Sequence, residues 1–128
     1  MNNVIKGAGF HHIALASNCF EKSLEFYNGL GFKVIAKWSD GAMLDMGNGD
    51  IIEIFNNGTD QEETNARFFH LAIKADDPDE AYRIALSLGA KSKIEPKNCV
   101  IGAEEPINIR IAFVYGPSDE VIEFFKYN

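Results

Sequence analysis

Cationic side chains are scarce in this chain: 12 Lys and Arg stand against 19 Asp and Glu, and only Arg67, Arg83 and Arg110 are arginines. A surface with a formal charge of −7 repels phosphate backbones and anionic lipid, which excludes nucleic acid and membrane surfaces as partners. Cysteine is equally sparse. Cys19 and Cys99 are far apart and neither belongs to a CxxC pair, so they read as reduced thiols and not as a disulfide framework. Cys19 falls near an expected helix start, where thiolate is favoured, but no base is paired with it. Long apolar runs are missing too, and Met1 to Gly7 lacks the apolar core of a signal peptide, so neither a bilayer span nor a secretory leader is expected. A cytoplasmic protein is the expectation. What the chain does have is 46 % hydrophobic residues in 128, enough for a single domain with its own core.

The sequence also repeats itself. His12-Ile13-Ala14-Leu15 is followed by a helical pattern closing on Leu30-Gly31, and His70-Leu71-Ala72-Ile73 by another closing on Leu88-Gly89. An offset of 58 residues separates His12 from His70 and Gly31 from Gly89, so the two segments match without a gap. Internal duplication is the simplest explanation. Each copy then reaches an apolar run carrying one glutamate, Ile51-Ile52-Glu53-Ile54-Phe55 and Val121-Ile122-Glu123-Phe124-Phe125.

Periodicity predicts the elements of each copy. In the first, a strand over 11–16 leads to a helix whose Phe20, Leu24, Tyr27 and Leu30 recur at helical spacing; Asn18 and Glu21 resemble a capping box. Strands over 32–37, 41–46 and 51–55 follow, separated by the turns Asp40-Gly41 and Gly47-Asn48-Gly49-Asp50. Polar residues 57–67 form a linker between module 1 (about 9–56) and module 2 (about 68–128). In the second copy a strand over 68–74 precedes Asp77-Pro78-Asp79-Glu80, a helix start with cap, proline and acid in sequence. A strand over 91–94, an irregular stretch over 95–106, and strands over 107–114 and 121–126 complete it. His12 and Glu53 are 41 residues apart and His70 and Glu123 are 53 apart, and the irregular stretch is the economical place for the difference.

Alternation along the strands decides which side chains share a face. His12 falls with Ala14 and Ala16, and His70 with Ala72 and Lys74, while Ile13, Leu15, Leu71 and Ile73 point the other way. Glu53 falls with Ile51 and Phe55, and Glu123 with Val121 and Phe125, leaving Ile52, Ile54, Ile122 and Phe124 to pack under the helices. Small neighbours leave room for a cavity. An ionised carboxylate in an apolar strand is costly unless paired or bound to a cation, so His12, Glu53, His70 and Glu123 are the expected metal ligands. Any one of them alone reads more readily as a hydrogen-bonded core histidine or a solvent-facing glutamate; placement at duplicated positions is what sets the four apart. His11 shares a face with Ile13 and corresponds to Phe69, which leaves His12 as the better ligand.

The motifs His12-Ile13-Ala14-Leu15, Phe26-Tyr27-Asn28-Gly29-Leu30-Gly31-Phe32 and Glu53, with Phe69-His70-Leu71-Ala72-Ile73 and the closing segment from Ala112 through Glu123 to Phe124, resemble the vicinal oxygen chelate superfamily of glyoxalases, bleomycin-resistance proteins and dioxygenases. The resemblance implies an α+β fold of two tandem βαβββ modules forming an open, cup-shaped mixed β-sheet with helices on the outer face, commonly in a homodimer. It implies one divalent ion (Ni, Zn, Co, Mn or Fe) on His12, Glu53, His70 and Glu123. Tyr115-Gly116-Pro117 departs from the Asp-Pro-Asp-Gly-like turn of many members.

Within the superfamily the His, Glu, His, Glu set is similar to glyoxalase I. That implies a metal-dependent lyase or isomerase acting on a 2-oxoaldehyde thiol adduct, or a similar small vicinal-oxygen substrate, through a metal-stabilised enediolate. Glu123 would be the catalytic base and Glu53 a ligand or second proton carrier. Extradiol dioxygenases resemble a two-His, one-carboxylate iron site, epimerases have glutamine at the Glu53 position, and resistance proteins generally lack the ligands; a dioxygenase, an epimerase and a non-catalytic binding protein are the alternatives. Arg110 is the expected contact for an anionic substrate, with an ordinary surface arginine as the alternative, and Trp38, Phe55, Phe113 and Tyr115 are the expected apolar lining, with core packing as the alternative for each. Lys6 is the one basic residue near the N-terminus, which argues against glutathione as the thiol.

Overall fold

A computed structural model describes residues 2–56, 67–102, 104–117 and 119–128. The chain groups into two compact units, one of His12–Phe69 with Ile101–Pro106, the other of Met1–His11, His70–Val100 and Ile107–Asn128. Each is α+β, with one helix packed on one face of a mixed sheet.

The first unit holds β1 (Gly9–Ser17) from His12 onward, α1 (Phe20–Gly29), β2 (Lys33–Trp38), β3 (Gly41–Asp45) and β4 (Ile51–Asn56). β1 and β4 run parallel, β3 is antiparallel to β4 and β2 to β3. The expected alternation is realised: Leu15, Leu44, Ile52 and Ile54 pack with Phe20 and Leu24 of α1 in one buried cluster. Cys19, not Asn18, occupies the N-cap of α1 and makes no side-chain cap bond; its own backbone N–H donates instead to Ser17 Oγ at 3.1 Å. The helix thus begins one residue later than the Asn18–Glu21 spacing of the expected capping box requires.

The second unit holds β5 (Arg67–Lys74) from His70 onward, α2 (Pro78–Ser87), β6 (Lys91–Ile101) to Val100, β7 (Ile107–Tyr115) and β8 (Val121–Tyr127). β5 and β8 are parallel, β7 is antiparallel to β8, and β6 neighbours β7. Here the helix start is as expected: Pro78 opens α2 and the Asp77 carboxylate accepts the Glu80 N–H at 3.1 Å. Phe124, Val114 and Ala112 pack with Ala81 and Tyr82. Leu71 departs from its expected core position and is 43 % exposed.

Both helices end alike. Phe32 N–H reaches Tyr27 O and Gly31 N–H reaches Asn28 O, while Ala90 N–H reaches Ala85 O and Gly89 N–H reaches Leu86 O. These are Schellman closures, which need a left-handed residue after the helix; Gly31 (φ 93°) and Gly89 (φ 104°) supply it.

Two differences concern the boundaries. The irregular stretch expected over 95–106 is strand as far as Ile101, since β6 runs eleven residues. Its polar composition and Pro96 argue against a central strand, yet both are tolerated on a strand paired along one edge. The expected linker lies, up to residue 66, outside the described residues. No helix among the described residues is long and apolar enough to cross a membrane.

Candidate functional site

Six polar residues are buried among those described: His11, His12, Ser17, Glu53, His70 and Glu123. Four of them are the duplicated histidines and glutamates. In the first unit the parallel pairing sets Ala14 opposite Glu53, so His12, two residues earlier on the same face, reaches Glu53 from the neighbouring strand. His12 Nε2 lies 3.2 Å from Glu53 Oε1, with His12 1 % and Glu53 7 % exposed. In the second unit Ala72 stands opposite Glu123 in the same register, and His70 Nε2 lies 3.3 Å from Glu123 Oε1. Both members of that pair are also buried.

Register and chemistry explain the pairs together. Ala14 and Ala72 are fully buried beside the glutamates and occupy almost no volume on the face away from the helix, where the four polar tips project. A carboxylate at this depth forfeits several kcal/mol of hydration unless it meets a cation or a strong donor. Each unit thus presents one imidazole nitrogen and one carboxylate oxygen, the mixed N/O donor set that borderline divalent ions accept. The residues fit such an ion.

His11, the competitor for His12, has another use. Its Nε2 sits 2.7 Å from the Tyr127 hydroxyl and its ring stacks on Phe125 at 3.8 Å between centroids, inside the second unit. The neighbours of the glutamates are aromatic. In the first unit Trp38 meets Phe55 edge-on at 6.0 Å, and Phe55 meets Phe69 at 5.5 Å. The indole passes so close to Gly41 that a Cβ there would lie 2.5 Å from the ring, so this position requires glycine. In the second unit Phe113, paired across from Glu123, sets its ring edge-on to His70 at 5.5 Å. Trp38, Phe55 and Phe113 are only partly buried, which leaves ring surface open to a ligand.

Arg110 does not take the role expected of it. Its guanidinium donates to both oxygens of Asp79 on α2, at 2.9 and 2.8 Å. The neighbouring Ala112 on its face packs in the helix-side cluster, so Arg110 points away from Glu123. This pairing holds the Asp79 carboxyl below its ordinary range and raises the guanidinium, the hydrogen bond being the largest cause of both. A cation that sequence reasoning missed stands on the other side. Lys93 of β6 places Nζ 6.0 Å from the centroid of Phe113 and 5.9 Å from that of Tyr115. Alternation would have flagged it had residues 91–101 been recognised as one strand.

Comparisons with known proteins agree with this architecture. A hypothetical protein from Bacillus halodurans superposes with a TM-score of 0.72 at 20 % identity, covering 94 % of each chain. Methylmalonyl-CoA epimerase from Mycobacterium tuberculosis gives 0.69 at 17 % identity, covering 98 % of this chain and 90 % of its own. The Mn(II)-bound glyoxalase from Novosphingobium aromaticivorans gives 0.68 at 16 % identity, covering 91 % of this chain and 38 % of that longer one. At such identities these likenesses carry the fold alone. No curated protein sequence matches significantly. A family model does match residues 9–124, nearly the whole chain, and on that ground the protein belongs to the Glyoxalase/Bleomycin resistance protein/Dioxygenase superfamily.

Proposed function

We propose that His12, Glu53, His70 and Glu123 hold one divalent metal ion and that the protein is a lyase or isomerase of the glyoxalase I type, moving a proton on a 2-oxoaldehyde thiol adduct or a similar small substrate with adjacent oxygens. The observation that carries this is the repeated buried His–Glu contact at one register in both units. Family membership and the fold likeness to a Mn(II)-bound glyoxalase support it.

Bound there, the ion would act as a Lewis acid that lowers the energy of negative charge developing on a substrate oxygen. Glu123 takes the proton from the carbon beside that oxygen. Its burial keeps competing water from the carboxylate, and His70, held by the edge of the Phe113 ring, fixes its direction. Glu53 remains a ligand or returns the proton on the other face. The aromatic row Trp38, Phe55 and Phe69 offers an apolar wall to the substrate body.

An epimerase is the second reading, favoured by the near full-length fold likeness to methylmalonyl-CoA epimerase, and it uses the same proton abstraction beside a carbonyl. We take the protein as a cytoplasmic homodimer, with light scattering as the check. The function is tested by elemental analysis after exposure to Ni, Zn, Co, Mn and Fe salts, followed by assay against a panel of 2-oxoaldehyde thiol adducts and acyl-CoA epimers. One metal equivalent per chain with turnover of an adduct is the expected result. Turnover of an acyl-CoA alone transfers the assignment to the epimerase, and absence of stoichiometric metal refutes both in favour of a sequestering protein.

A further inference from the structure

We infer that Lys93 is the specificity-determining cation of the site, and that the substrate carries a carboxylate which this ammonium receives. The inference rests on the metal-site reading above and names the class of substrate. It is drawn inside the second unit. Phe113 is opposite Glu123 in the β7–β8 pairing and packs edge-on against His70, so its ring borders the His–Glu pair directly. Tyr115, two residues on, shares that face. The Lys93 ammonium lies 6.0 Å from the Phe113 centroid and 5.9 Å from that of Tyr115, within cation–π reach of the ring that touches His70.

Charge accounting gives that position its meaning. Among the described residues the partners of Lys93 are the two rings and no carboxylate; unlike Arg110 and Arg83, which are paired with Asp79 and Glu80, it lies over a ring that borders the His–Glu pair. In a chain of net charge −7, a lysine over aromatic rings with no acid beside it among the described residues offers an anion a partner that the rest of the surface would repel. Lys93 is exposed and so open to a ligand from solvent. The aromatic faces beneath it suit a planar carboxylate-bearing body. An anionic substrate would thus be gripped at two points, its adjacent oxygens at the His–Glu end and its carboxylate at Lys93.

The test uses two probes that differ in one group. Catechol and protocatechuate share the adjacent oxygens, and only the second has a carboxylate. Each is titrated calorimetrically into zinc-loaded wild-type protein, K93M and K93R. Wild type should bind protocatechuate roughly tenfold more tightly than catechol, K93M should lose that margin with catechol affinity unchanged, and K93R should retain it. Equal affinities in wild type, or a margin that survives in K93M, overturn the inference while leaving catechol binding intact. Failure of both probes to bind the zinc-loaded protein overturns this inference, whereas failure of the protein to take up zinc at all overturns the metal-site reading on which it rests.

Discussion

Replacing Glu123 by glutamine exchanges one carboxylate oxygen for an amide nitrogen at nearly the same shape, so it removes the base while leaving an amide oxygen as a neutral donor to the metal. The side chain is 6 % exposed, and the amide retains a hydrogen-bonding partner for His70 Nε2, now 3.3 Å from the carboxylate. No cavity opens. The variant loses a charge-assisted contact but also sheds the desolvation of a buried carboxylate, and these oppose each other, so stability should stay within about 1 kcal/mol of wild type. Catalysis should respond on another scale. A positioned general base contributes about 10²–10⁴-fold, or about 2.7–5.4 kcal/mol of barrier. The variant should therefore retain metal by elemental analysis and unfold near the wild-type temperature, yet lose at least two orders of magnitude in turnover. Exchange of solvent deuterium into the substrate carbon should fall in parallel, because that step is the abstraction itself. Turnover or exchange within tenfold of wild type at full metal content would refute the assignment of Glu123 as the base.

The duplicated registers of His12 and His70 imply equal roles, so His12→Ala and His70→Ala should lower metal stoichiometry alike; one variant keeping full occupancy would count against a shared site. Ile54 is fully buried beneath α1, and Ile54→Ala should cost about 2–5 kcal/mol in urea unfolding, with a loss under 1 kcal/mol contradicting its place in the core. Because Arg110 holds the Asp79 carboxyl below its ordinary range, the stability this pair contributes is complete above the usual carboxylate pKa and is lost as pH falls through the folded value. With the Asp79 and Arg110 side chains 37 % and 28 % exposed, solvent screening keeps that contribution small. Asp79→Asn should accordingly unfold more readily than wild type at pH 6, with the gap narrowing as pH falls below the usual carboxylate range, and a difference that persists undiminished in acid would contradict the pairing.

The order of elements and the residues of the two His–Glu pairs were legible in the chain because duplication repeats a local pattern. Strand alternation is local, so it sorted Glu53 from Ile52 and Ile54, and Glu123 from Ile122 and Phe124, without any knowledge of partners. The same locality explains what was misjudged. Residues 95–101 have neither an apolar stripe nor freedom from proline, and their strand character comes from pairing with β7, which their own composition does not announce.

Amino-acid order thus determined the two βαβββ repeats, the glycine-closed helices, and the placement of a histidine and a glutamate on the face of each sheet away from its helix. Tertiary structure alone decided where the remaining charges went. Arg110 meets Asp79 across 31 residues and His11 meets Tyr127 across 116, and no spacing rule links positions so distant. The physical reason is range: backbone periodicity governs which way a side chain points, while its partner depends on what the folded chain brings opposite, as Lys93 over Phe113 and Tyr115 illustrates.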